Sequence, residues 1–117
     1  SLAHDEALAV ALVAPAVRLA AVGVDVEPAA PLPDDVAEIA LSAAERRAVA
    51  GDLVLGRAIF AAKEAVYKAI NPLDGTPLEY EDIEVDLAGG VARLRDGRRL
   101  EIAAARGERW IVAAWAP

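Results

Sequence analysis

The sequence predicts an α+β domain, a mostly antiparallel sheet packed on one long and two short helices. Three observations lead there. Strand-like apolar runs stand at both ends of the chain, one long helical stretch fills the middle, and Gly89-Gly90 and Asp96-Gly97 punctuate the C-terminal third as hairpin turns do. With 117 residues, 56% of them hydrophobic and 26% charged, the chain is one domain's worth and can bury a real core. Residues 1–117 therefore read as a single domain. Aromatic residues make up only 4%, so that core must be built from small aliphatic side chains.

Each element has its own signal. Ala7 to Val13 is uniformly apolar and Val17 to Val26 is rich in valine, with the turn signal Ala14-Pro15 between them, so these two runs are expected to pair as a hairpin. The prolines between Glu27 and Pro33 exclude regular structure there. Asp34 or Asp35 can cap a short helix running to about Leu41. Ser42 and Glu45 form a capping box that opens a second short helix near Arg46 to Ala50. Asp52 can cap the longest helix, Leu53 to Ile70, with Leu53, Ile59, Phe60, Val66, Tyr67 and Ile70 as its buried stripe and Asn71-Pro72 as its stop. Three strands are expected at Ile83 to Ala88, Val91 to Leu94 and Leu100 to Ala105, and Trp110 to Trp115 closes the sheet as a fourth.

Composition excludes several functions. The formal net charge is −7, so the basic footprint of a nucleic-acid binder is missing. No apolar run is long enough to span a membrane, and the apolar stretch near the start lacks the basic flank of a signal peptide, so a soluble, cytoplasmic chain is expected. There is no cysteine and one histidine, His4, which leaves oxygen as the main metal ligand. There is also no methionine, and the abrupt opening Ser-Leu-Ala-His suggests that native residues precede it. No glycine-rich phosphate loop of the Walker or dinucleotide type occurs.

The stretch "AAVGVDVEP", Ala20 to Pro28, carries the first chemical signal. On a strand, Asp25 and Glu27 point to one face, and two carboxylates about 6 Å apart repel by roughly 3 kcal/mol at an effective dielectric near 20. Something must compensate, and a hard divalent cation is one candidate. The second signal is "FAAKEAVYKA" in the long helix, where Phe60, Glu64 and Lys68 stand at successive i, i+4 steps and Lys63 is turned by about 100° from Glu64. On spacing alone, Glu64 and Lys68 read as a surface ion pair worth about 0.3–0.5 kcal/mol. If Glu64 instead faces Asp25 and Glu27, the three carboxylates make an oxygen-rich site suited to Mg²⁺, with Lys68 placed for a phosphate oxygen.

"GVDVEP" followed some forty residues later by "FAAKEAVYKA" closely resembles the signature pair of the 4′-phosphopantetheinyl transferase superfamily, G-[IV]-D-x-E and F-[SCA]-x-K-E-[AS]-x-[YF]-K. Upstream, "SLAH" resembles the family's S-x-[ST]-H segment, with Ala3 where a hydroxyl residue is usual. The likeness is greatest to the second half of the larger, pseudo-dimeric members that serve siderophore, polyketide and peptide synthetases, whose proline loop looks like "NPLDGTPLEYEDI". The resemblance implies Mg²⁺-dependent transfer of 4′-phosphopantetheine from coenzyme A to a serine of an acyl or peptidyl carrier protein. It implies that Asp25, Glu27 and Glu64 hold the metal, that Glu64 or a water it orients is the base, and that Lys68 binds the pyrophosphate. It also implies that His4 contacts the phosphates of coenzyme A and that Leu78 lines the pantetheine path. Arg46, Arg47 and Arg57 lie in the region that would face the carrier protein. Because the family's remaining phosphate-gripping residues come from the first half, a further copy of the chain or a missing N-terminal half is expected to complete the cleft. The alternative is a non-catalytic module that only docks carrier proteins.

Overall fold

A computed structural model describes residues 1–117 throughout. Its elements run β1 (Leu2–His4), β2 (Ala9–Ala11), β3 (Ala21–Pro28), α1 (Asp34–Ala40), α2 (Ala43–Val49), α3 (Leu53–Asp74), a 3₁₀ turn (Tyr80–Asp82), β4 (Ile83–Asp86), β5 (Val91–Leu94), β6 (Arg99–Arg106) and β7 (Arg109–Ala116). The α+β class expected from the sequence is the class found. Five strands form one antiparallel sheet in the order β3-β7-β6-β5-β4, and β1 and β2 form a separate two-stranded ladder.

The N-terminal hairpin is not the expected one. Leu2 pairs with Ala11 and His4 with Ala9, whereas β3 pairs along its whole length with β7, from Ala21 opposite Ala116 to Pro28 opposite Arg109. Asp5 explains the shift. Its Oδ1 accepts from the N–H groups of both Ala7 and Leu8, an Asx-type turn that closes a hairpin well before Pro15 is reached. For the same reason β7 is not the sheet's closing edge. It lies between β3 and β6, because the valine-rich strand is added to its free side.

The helices follow the sequence closely, with three adjustments. Pro33, not an aspartate, occupies the N-cap of α1, and Asp34 and Asp35 sit in its first turn, where negative charge complements the helix dipole. The capping box of α2 is formed as expected, although the helix spans Ala43–Val49 and Ala50 terminates it in the left-handed region. Asp52 caps α3 by accepting from Val54 and Leu55, but the helix runs past Pro72 to Asp74. Proline near a C-terminus forfeits one hydrogen bond only, and the true stop is Gly75 at φ 71°, whose N–H bonds the carbonyl of Asn71.

The buried stripe of α3 is richer in alanine than expected. Ala58, Ala61, Ala62, Ala65 and Ala69 are buried together with Ile59, Val66 and Ile70, while Tyr67 is exposed. The cause is close approach to β3: a Cβ on Gly23 would lie 1.9 Å from the carbonyl oxygen of Ala65 and 2.8 Å from the amide nitrogen of Ala69. The inward residues of the sheet, including Ile102, Val112 and Ala114, complete this core. On the opposite face of β3, Val24 and Val26 pack under Ala3 of the small hairpin. That hairpin is tied to β7 by the Arg109–Asp5 pair.

Candidate active site

Strand alternation puts Gly23, Asp25 and Glu27 on the face that meets α3. Gly23 lets the two elements approach, so residues further along each can exchange contacts. Lys68 donates from Nζ to Asp25 Oδ1 at 2.8 Å and to the carbonyl of Val24 at 3.2 Å. Nearer the start of α3, Arg57 pairs with Glu27 at 3.2 Å and donates to the carbonyls of Ala30 and Pro31 in the loop that leaves β3. Each strand carboxylate therefore has its own cation. This is how the chain answers the repulsion that the spacing of Asp25 and Glu27 creates.

The compensation is incomplete. Asp25 is 7% exposed, and its Oδ2 is buried without a hydrogen-bond partner. Burial raises its pKa above the ordinary carboxylate value, against the opposing pull of Lys68. Burial likewise raises Glu27; Arg57 opposes that shift, and the negative charges of Asp25 and Glu64 reinforce it. Three carboxylates thus feel one another's field in one corner of the molecule.

The expected i, i+4 pair between Glu64 and Lys68 is replaced by tertiary partners. Lys68 goes to Asp25, and Glu64 accepts from the hydroxyl of Tyr80 at 3.1 Å. Glu64 and Leu78 line the same cleft of about 210 Å³, together with Lys63, Tyr67 and Tyr80. The loop bearing Leu78 is anchored by Arg98, which pairs with Asp74 at 2.7 Å and with Asp96 at 2.8 Å. His4 is exposed on β1, the strand that covers the Val24 and Val26 face of β3. Asp25, Glu27 and Glu64 do not gather at metal-ligand spacing in these rotamers. The unpartnered oxygen of Asp25 and the purely carboxylate donor set nonetheless fit a hard cation.

Three neighbours of the site have partners that sequence reasoning does not assign. Lys63 is buried, pairing with Glu45 at 2.7 Å and donating to the carbonyls of Ala40 and Tyr80. Ala61, Ala62 and Ala65 around it hint at burial, and its place in the helix motif names no partner. Arg57, expected on a carrier-facing surface, is instead spent on Glu27 and the following loop, and Tyr80, although it lies in the proline loop, carries no local sign that its hydroxyl meets Glu64.

On an α+β frame, a strand carrying Asp25 and Glu27 packs through Gly23 on the helix carrying Glu64 and Lys68, forming an acidic corner with one lysine. The chain belongs to the 4′-phosphopantetheinyl transferase superfamily, which matches residues 21–114. It is similar to the 4′-phosphopantetheinyl transferase Svp of Streptomyces mobaraensis, 37% identical over 91 residues, covering 73% of this chain and 37% of that protein. The 4′-phosphopantetheinyl transferase Npt of Nocardia iowensis is 36% identical over 88 residues, covering 73% of this chain and 40% of that protein. The chain thus spans about two fifths of the length of these relatives.

Proposed function

We propose that this chain supplies the acidic half of a transferase that moves 4′-phosphopantetheine from coenzyme A to a serine of an acyl or peptidyl carrier protein in the cytoplasm. The observation that carries the reading is the junction of β3 and α3, where Lys68 meets Asp25 and the other oxygen of Asp25 is left without a partner. Asp25 and Glu27 would hold Mg²⁺, with Glu64 completing the set directly or through water. When bound, the metal would offset the charge of the two phosphates that the nucleophile approaches.

The chain's own residues divide the remaining work. Lys68, about a third exposed, would turn from Asp25 to the pyrophosphate and stabilise the leaving 3′,5′-ADP. Glu64, or a water it orients, would take the proton of the carrier serine as its oxygen bonds the β-phosphorus and the bond from phosphorus to the ADP oxygen breaks. No covalent enzyme intermediate is required. Leu78 would guide the pantetheine arm along the cleft it shares with Glu64. His4 would reach the phosphates of coenzyme A from the hairpin edge. The chain would act as the second half of the cleft, which a further copy or an N-terminal half completes; that the match spans well under half of each relative is compatible with this reading.

Incubating the full-length protein with coenzyme A, Mg²⁺ and an apo carrier protein tests the reading by mass spectrometry. The carrier should gain the mass of phosphopantetheine. Asp25→Asn and Lys68→Ala should each lower the rate by at least about a hundredfold, and an unmodified carrier with wild-type protein would overturn the assignment.

A further inference from the structure

Two consecutive residues of α3 grip opposite ends of one tyrosine. Lys63 donates from Nζ to the carbonyl of Tyr80 at 3.1 Å, while the Tyr80 hydroxyl donates to Glu64 Oε1 at 3.1 Å. The geometry points to Tyr80 as the positioning residue of Glu64, the group that holds its carboxylate in one orientation toward the cleft. This rests on the reading of Glu64 as the base.

A glutamate side chain has three rotatable bonds, and Glu64 is only half-buried, so packing alone does not select its rotamer. Lys68, the cation one turn further on, pairs with Asp25 and not with Glu64. Tyr80 is left to do the orienting, and its own placement is over-determined. Its ring lies 5.8 Å from that of Phe60, and its carbonyl also accepts from the N–H of Ile83. Lys63 is itself fixed by Glu45, whose second oxygen accepts from the N–H of Val85 at 2.7 Å. The chain of contacts therefore runs from β4 through α2 and α3 to the hydroxyl. A neutral donor suits the task, because it orients a carboxylate without neutralising it as a lysine would.

The test is Tyr80→Phe in the full-length protein, read by steady-state kinetics, thermal melting and a room-temperature crystal structure. We expect kcat to fall about tenfold with both KM values within about twofold and an unchanged melting temperature, and Glu64 to spread over several rotamers while Lys68 stays on Asp25. Unchanged kcat in an active protein overturns the inference. If the wild-type protein transfers nothing, the transferase reading fails, and the crystal structure alone decides: a single, unmoved Glu64 rotamer in the variant overturns the role of Tyr80, and a dispersed one supports it.

Discussion

At Gly23 a single missing methyl group sets the distance between strand and helix. Adding it would put carbon 1.9 Å from a helix carbonyl oxygen, far inside van der Waals contact, so β3 and α3 must separate and the contacts of Asp25 with Lys68 separate with them. Gly23→Ala should therefore cost about 3 kcal/mol of stability, visible as a lower guanidinium midpoint. A midpoint equal to that of the wild type would mean that the close packing is absent in solution. The same scale shows what residue patterns could and could not convey. Alternation placed Asp25 and Glu27 on one face, because period two is a local property of any strand. The partners of those carboxylates, Lys68 and Arg57, come from sequence separations of 43 and 30 residues, and nothing local encodes such a meeting.

Among the elements, the β1–β2 hairpin is the one most dependent on a single side chain. Asp5 closes its turn and joins it to β7 through Arg109. The Arg109 guanidinium first, and the Ala7 and Leu8 amides with it, lower the Asp5 pKa from 3.8 to about 2. A lowered folded-state pKa means a contribution fully present above the unfolded value and lost as pH falls through the folded one. The stability difference between wild type and Asp5→Asn should thus be constant above about pH 5 and disappear toward about pH 2, measured as urea midpoints across that range. A difference that persists at the acid end would rule out the ion pair as its source. Ser42 and Glu45 were legible as a capping box because both halves lie within one turn, whereas the equally local Asx turn at Asp5 is marked by one residue only and was masked by the Ala14-Pro15 signal.

Over the whole molecule, the net charge of −7 opposes any acidic partner, so recognition of one must rely on local cations. With Arg57 engaged by Glu27, the candidates on the helical side reduce to Arg46 and Arg47, both exposed on α2. On the proposed transferase reading, reversing both to glutamate should raise the carrier-protein KM severalfold and leave the coenzyme A KM unchanged. Equal KM values for the carrier would remove this surface from consideration. No helix of the chain is long and apolar enough to cross a membrane, which agrees with the hydropathy of the sequence.

By itself, the sequence determined the α+β class, the capping of α2 and α3, the C-terminal meander and the residues that carry family membership. All of these are written in short-range periodicity, turn chemistry or contiguous motifs. Only the tertiary structure decided that β3 joins β7, that Lys68 leaves Glu64 for Asp25, and that Lys63 and Tyr80 stand behind Glu64. The physical reason is that helix and strand spacing fix which face a side chain occupies. Which distant group fills the space opposite is settled by how closely two backbones can pack, and here a glycine against two alanines settles it.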